Sequence, residues 1–312
     1  MPRTDIVTLK QLGDVVCLAP AVAALAERGE TVSLTARQGL APLLELLPGL
    51  APSDATNRAV IDDLLCVDWS SRAALASLRI RARRKRLLVN KGRHVRLMYR
   101  WIFDQIDVVP RPATYWGLYF WRYVTGADLG FHPPRLNQPP QNWAPDVPLP
   151  ANYVLFHPTA AWPIKYWPAD SCAAAIAGLR EIGVGPVLMS GGAAQQERDH
   201  CAAIRARAPD AVIDLAGRTD LKGFLYLVSR ARLVLAVDGS AAHLGPAFGR
   251  PTLALFGPTD YRSWHYETPL SRRLSTAELL SGARLSLDHI PVERIVTLAH
   301  EIMGDGAQRV DI

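Results

Sequence analysis

The hydrophobic and polar positions of this chain fall into two series of alternating elements, separated by one proline-rich interruption. In both series, apolar runs of three to five residues rich in Val, Leu and Ile alternate with longer stretches whose small and apolar residues recur at helical spacing. Buried strands alternating with amphipathic helices predict parallel α/β sheets. The first series opens with a strand over Ile6–Leu9, a turn at Gln11-Leu12-Gly13-Asp14, a helix over Val15–Glu27 containing Pro20, and a strand over Thr31–Thr35. This is the β-α-β unit of a doubly wound sheet. A short helix over Ala41–Leu47 follows, then a strand or helix–strand join over Ala59–Val67. The pattern next predicts mostly helix across 72–103, broken near Asn90-Lys91-Gly92, and a Trp- and Tyr-rich helix over Arg111–Thr125 ending at Gly126.

Between Pro133 and Pro150 the chain carries seven prolines. Proline fixes φ and removes a donor, so this stretch cannot build a central strand or helix and marks a domain boundary. The pattern then restarts: strand Tyr153–Phe156, helix Ala169–Glu181, strand Pro186–Ser190, helix Gln195–Arg207, strand Val212–Asp214, helix Leu221–Ser229. Leu233–Val237 is a further strand, Ala241–Phe248 a short helix ended by Gly249 and Pro251, and Thr252–Phe256 another strand. Val292–Met303 closes the series as an amphipathic helix. The predicted division is a Rossmann-like domain over 1–140, a second over 150–290, and a carboxyl-terminal helix within 291–312.

Composition changes this picture little. Apolar residues make up 49% and charged residues 21%, ordinary for a folded soluble chain. No apolar run approaches the roughly 18 residues of a membrane span. Leu12–Ala26 has the look of a signal-peptide core, but Asp14 interrupts it and a strand precedes it, so no leader is expected there. The cysteines Cys17, Cys66, Cys172 and Cys201 are far apart, with no metal or redox spacing, and are expected as reduced thiols in a cytoplasmic protein. Charge matters more. The net charge is +6, yet Arg79 to Arg100 holds ten Lys or Arg and no acid, and subtracting ten from six leaves −4 for the rest. That segment reads as a nucleic-acid footprint, a solvated face, or a landing surface for an anionic partner. The apolar residues within it (Leu87, Leu88, Val95, Leu97, Met98, Trp101) favour an amphipathic segment near anionic lipid, and the acidic remainder argues against nucleic acid.

Candidate chemistry gathers at strand ends, where open α/β sheets bind ligands. Asp238-Gly239-Ser240 joins a strand to a helix, so unpaired N–H groups and the positive end of a dipole face outward, an anion site suited to phosphate. The alternative is an ordinary crossover with nothing bound. Asp14 stands where the first strand meets its helix, as either a helix N-cap or a general base toward a hydroxyl. Lys165, between Trp162 and Trp167 in the loop after the second domain's first strand, suits a phosphate clamp, and Thr159 offers a hydroxyl to the same anion. His243 reads as packing or ligand contact, and Gly191-Gly192 as a place for a ligand to approach the backbone. Histidine spacing suggests no metal, and no Asp-X-Asp pair occurs.

Taken together, Leu12-Gly13-Asp14-Val15 with Pro20, Lys165-Tyr166-Trp167-Pro168, Leu215-Ala216-Gly217-Arg218-Thr219, and Asp238 to Leu244 with Gly249-Arg250-Pro251 and Phe256-Gly257-Pro258-Thr259-Asp260 resemble the ADP-heptose:lipopolysaccharide heptosyltransferases of glycosyltransferase family 9. The resemblance implies a GT-B fold, two Rossmann-like doubly wound domains facing across a cleft, the first binding acceptor and the second nucleotide sugar, with the final helix packing back toward the first. It implies an inverting, metal-independent transfer without cofactor, from a donor of the ADP-heptose type to an acidic lipopolysaccharide-core acceptor. Asp14 would be the base and Lys165 the group steadying the leaving diphosphate. Donor contacts would come from Thr159, Gly192, Glu197, Gly217, Asp238, Gly239, Ser240, Ala241 and His243, the family acid falling at Gln196 or Glu197. Acceptor contacts would come from Gly13, Arg84, Lys91, Arg93 and Arg96, and the protein would work in the cytoplasm against the anionic inner-membrane leaflet. The chain departs from the family pattern at Gly239-Ser240-Ala241, where Ser or Thr and then Gly-Pro are usual, and at Tyr261, where proline is usual. The alternatives are a relative using another nucleotide sugar, a non-catalytic nucleotide-sugar-binding protein, and a nucleotide-sugar epimerase.

Overall fold

A computed structural model describes residues 1–52, 60–89, 97–109, 114–127, 129–279 and 285–307. The chain divides into two units, Met1–Asn137 and Gln138–Ile312. In the first, β1 (Arg3–Val7), β2 (Thr31–Thr35), β3 (Ile61–Cys66), β4 (Ala82–Val89) and β5 (Gln105–Val108) form a parallel sheet in the order β2-β1-β3-β4-β5. Its helices are α1 (Leu12–Val16), α2 (Ala19–Glu27), α3 (Ala41–Leu44), α4 (Ser71–Arg79) and α5 (Trp116–Thr125). The sequence predicts one helix through Pro20; the structure has two. A proline ring clashes with the carbonyl four residues back and lacks the N–H that would bond it. The chain therefore breaks after Val16 and restarts with Pro20 in the first turn of α2, where neither defect matters. Gly126 ends α5 at φ 65°, the left-handed position glycine takes without strain.

The largest correction falls on residues 72–103. Helix covers only α4; β4 then runs as a parallel strand between β3 and β5. Arg and Lys favour helix only weakly, and tertiary pairing overrides them. Leu87, Leu88 and Val89 are buried in the sheet, and Arg84 and Arg86, two apart on one face, both bond the Asp63 carboxylate on β3.

The second unit's parallel sheet is built from β6 (Val154–His157), β7 (Val187–Met189), β8 (Val212–Asp214), β9 (Leu233–Val237), β10 (Thr252–Phe256) and β11 (Ser271–Ser275), ordered β11-β10-β9-β6-β7-β8. Helices α6 (Ala169–Glu181), α7 (Gln195–Arg207), α8 (Leu221–Arg230) and α9 (Ser240–Ala247) follow β6, β7, β8 and β9 in turn. The short α10 (Tyr261–Trp264) and α11 (Thr276–Leu279) and the long α12 (Val292–Ala307) complete it. Strands β6, β9 and β10 are buried along their whole length, as strands covered on both faces must be. Strands β4, β5 and β11 carry too few apolar residues to announce themselves. The sequence sends the final helix back toward the first domain; the side chains that α12 buries, Ile295, Ala299 and Ile302, join the core of the second unit, against α6 and β10. After Asn137 the proline-rich segment also packs on the second unit: Trp143 is buried with Lys222 Nζ 5.3 Å above its ring, and Tyr226 donates to Gln141 at 3.0 Å.

Candidate functional site

The strand order of the second unit reverses between β6 and β9, and the loops leaving these two strands hold its chemistry. The ligand crevice of an open α/β sheet lies at such a reversal, outside the carboxyl ends of the strands. The loop after β6 carries Thr159 and, in a 3-10 turn over Pro163–Lys165, Lys165. The loop after β9 carries Asp238 and Gly239. Lys165 Nζ donates to Asp238 Oδ2 at 2.6 Å, the ammonium 16% and the carboxylate 6% exposed, and the same Nζ lies 5.0 Å from the Trp162 ring centroid. The pair thus ties the two switch-point loops together.

Immediately beyond Asp238, α9 begins. Gly239 is its N-cap in extended conformation and has no side chain with which to cap the helix, so the start of α9 presents backbone N–H groups and the positive end of its dipole to an anion. A Cβ on Gly239 would sit 3.3 Å from the Thr159 carbonyl oxygen, so glycine here lets the loop after β6 approach the start of α9. Ala241 is buried, and Ser240 and His243 are half-buried in the first turn, with the His243 ring edge-on to Trp264 at 6.1 Å.

A second cluster stands at the end of β7. The Glu197 carboxylate accepts the Gly192 N–H at 2.8 Å and the Thr159 hydroxyl at 2.6 Å. Of the two residues the sequence left open, Glu197 is therefore the one built into this edge, while Gln196 is exposed. A Cβ on Gly192 would fall 2.8 Å from the Glu197 carboxyl carbon, which explains a glycine there. Thr159, expected to offer its hydroxyl to an anion, is fully buried and gives it to Glu197 in this structure. Gly217 adopts φ 69° in the loop after β8 and donates to the Gly191 carbonyl at 3.0 Å, bringing that loop to the same edge. Sequence reasoning missed His157 at the end of β6: its Nδ1 lies 2.9 Å from Ser190 Oγ, its ring 5.0 Å from Phe224, and burial pushes its pKa down to about 4.

In the first unit the strand order reverses between β1 and β3. Asp14 is not the N-cap of α1. Gln11 occupies that place, and Asp14 sits in the first turn, two residues after Leu12 opens the helix. Lys10 Nζ lies 3.9 Å from Asp14 Oδ1 and 3.9 Å from the Trp69 ring centroid. Asp68, buried after β3, accepts the N–H of Leu9 and of Ser70, each at 2.9 Å, which locks the loops after β1 and β3 together. Gly13 lies within α1 beside Asp14. Lys10 stands in the loop just before the Gln11 N-cap, so no helix face announces its approach to Asp14; Asp68 and Trp69 needed the exact end of β3.

Among the described residues, four cations of the basic segment are engaged by neighbouring groups. Arg83 pairs with Asp62 at 3.3 Å, Arg84 and Arg86 with Asp63, and Lys85 donates to the Ser77 carbonyl at 2.8 Å. Lys91, Arg93 and Arg96 lie outside the described residues. The lipid-facing role expected of Leu87 and Leu88 is excluded by their burial in β4, whereas Leu97 and Trp101 are 75% and 86% exposed on a 3-10 turn beside Arg100. Among the described residues no group of three or more His, Cys, Asp or Glu is placed to hold a metal ion, and all four cysteines are buried free thiols. No helix of the described residues is long and apolar enough to cross a membrane.

Three comparisons bear on this geometry. The sequence profile of Glycosyltransferase family 9 (heptosyltransferase) matches residues 67–283. Lipopolysaccharide heptosyltransferase 3 of Escherichia coli K12 is 26% identical over 168 residues, 51% of this chain and 49% of its own length. Lipopolysaccharide heptosyltransferase 1 of Pseudomonas aeruginosa PAO1 is 33% identical over 110 residues, 35% of this chain and 30% of its own. The chain thus spans half or less of these curated relatives. The solved structure of E. coli ADP-heptose lps heptosyltransferase II superposes with a TM-score of 0.79 at 18% identity, covering 98% of this chain and all of that one, a likeness that shows the fold.

Proposed function

The chain belongs to glycosyltransferase family 9, the heptosyltransferases, and from that premise we propose that it moves a heptose from a nucleoside-diphosphate donor of the ADP-heptose type to an acidic lipopolysaccharide-core acceptor. The observation that carries the reading is the Lys165–Asp238 pair at the β6–β9 reversal, next to the uncapped start of α9. It places a cation, a carboxylate and outward-facing N–H groups together. A diphosphate needs the first and third, and a polyhydroxylated sugar can use the second.

The chemistry is a single displacement with inversion. The acceptor hydroxyl oxygen forms a bond to the anomeric carbon as the bond from that carbon to the diphosphate oxygen breaks. Asp14 takes the hydroxyl proton, and the charge left on the diphosphate is met by Lys165 and the α9 dipole. Glu197, fixed by Gly192 and Thr159, is the acceptor group for a donor hydroxyl, with Gly217 bordering the same edge. This route neutralises charge with protein groups and needs neither a metal nor a cofactor. The proposed setting is the cytoplasmic face of the inner membrane, with Leu97, Arg100 and Trp101 meeting anionic lipid and the acidic acceptor.

The test is ADP release from ADP-heptose with and without a deacylated lipopolysaccharide-core acceptor, and the anomeric configuration of the product by NMR. Asp14→Ala is expected to cut kcat by roughly 10²–10⁴-fold with little change in ADP affinity, and a chelator to leave the rate unchanged. Donor binding without turnover on any acidic core acceptor would leave a sugar-nucleotide-binding protein instead, and epimerised donor without acceptor would overturn the transfer.

A further inference from the structure

The loop after β6 carries two tryptophans with opposite fates. Trp167 is fully buried in the core of the second unit and fastens the loop to it, whereas Trp162 is 64% exposed, with Ile164 beside it 55% exposed. A lone exposed apolar side chain needs no explanation. This one is held at the carboxyl edge of the sheet, where the ligand crevice lies. It precedes a proline, which drives its backbone to extended form, and it adopts φ −123° and ψ 120° accordingly. Its carbonyl accepts the Lys165 N–H at 3.0 Å, and the Pro163 carbonyl accepts the Tyr166 N–H at 2.9 Å. Pro163 and Pro168 fix two further φ angles. The backbone that presents the indole is thus ordered on folding, before any ligand arrives.

Lys165 connects this ring to the site. Its Nζ donates to Asp238 Oδ2 at 2.6 Å and lies 5.0 Å from the Trp162 ring centroid. The carboxylate and the indole therefore border one ammonium, within the span of a single sugar ring. A sugar carries hydroxyls at its rim and C–H bonds on its faces. The rim suits a carboxylate acceptor, and the faces suit the plane of an aromatic ring, whose negative face attracts C–H bonds. The ammonium answers the diphosphate to which the transferred sugar is bonded. A nucleobase would also stack on indole, but a ribose separates it from the phosphates that Lys165 meets.

We propose that Trp162 is a specificity-determining residue for the transferred sugar: its exposed indole packs against a C–H face of that sugar while the diphosphate lies at Lys165. The proposal rests on reading Lys165 as the diphosphate clamp, and the experiment separates the two. Isothermal titration with ADP, adenosine and ADP-heptose compares the unaltered protein with Trp162→Ala and Trp162→Phe, and KM for a deacylated core acceptor is measured for each. Trp162→Ala is expected to weaken ADP-heptose roughly tenfold, the effect of losing about 50–60 Å² of apolar contact, while ADP stays within about twofold and Tm is unchanged. Trp162→Phe, which keeps an aromatic face, restores most of the ADP-heptose affinity. Equal weakening of ADP and ADP-heptose means that the indole acts through Lys165 or the nucleotide, and overturns the sugar contact. Unchanged ADP-heptose affinity overturns it as well; a raised KM for the acceptor in that case puts the indole against the acceptor sugar instead. If the unaltered protein binds ADP no more tightly than adenosine, the diphosphate clamp itself fails and this proposal fails with it.

Discussion

Replacing Lys165 with Met separates the two jobs that this lysine is assigned. Met keeps most of the stem and its packing beside Trp162 but deletes the charge. Asp238, 6% exposed, then loses the ammonium it bonds at 2.6 Å. Stranding one member of a buried pair costs about 3–5 kcal/mol, and the partial exposure of Lys165 admits water that reduces this to roughly 2–3. In a unit of this size each kcal/mol moves Tm by about 2–4 °C, so differential scanning calorimetry should show the second unit melting roughly 4–12 °C lower. The binding job is read by isothermal titration with ADP and with adenosine. A charge-assisted contact to the diphosphate is worth about 1.5–3 kcal/mol, so the Kd for ADP should weaken roughly 10–150-fold. Adenosine, with no phosphate to grip, should bind within about twofold of the unaltered protein. If ADP and adenosine weaken by the same factor, Lys165 supports the loop and does not clamp the diphosphate, and the reasoning from the switch point fails.

Two further outcomes follow from the same physics. His157 is buried neutral with a pKa pushed down to about 4 by desolvation, against an ordinary value near 6.5; its stabilising share is complete above pH 6.5 and declines as pH falls from there to about 4, because the unfolded chain takes up the proton first. Urea unfolding should therefore lose about 3 kcal/mol over that window from His157, and His157→Gln should flatten the profile by that amount, with the remaining slope including His265, pushed down in the same way. Leu97→Ser with Trp101→Ser should reduce binding to vesicles rich in anionic phospholipid by roughly tenfold or more while leaving ADP affinity and Tm unchanged, since both side chains face solvent; unaltered vesicle binding would remove this turn from any membrane contact.

What the sequence determined by itself were the features whose causes are local. Strands β6, β9 and β10 are apolar runs because both faces are covered. The break after Asn137 falls within the stretch where prolines remove backbone donors. The glycines after Asp238 and after Ser190 sit where a side chain would obstruct a neighbouring loop. Asp14, Lys165 and Asp238 could be picked out because carboxyl ends of parallel strands lie at one edge, and a strand's end can be read from its own residues. Tertiary structure alone decided the rest. Strand β4 is a cationic run that becomes an inner strand between β3 and β5, where Arg83 meets Asp62 and Arg84 and Arg86 meet Asp63 on β3, and no local propensity contains that information. The choice of Glu197 over Gln196 depends on Gly192 and Thr159, the latter 38 residues away. The seat of Lys10 on Trp69 needs β1 and β3 side by side. Periodicity reports which way a residue faces, whereas charge pairing, burial and the aim of a side chain belong to neighbours that only the folded chain assembles.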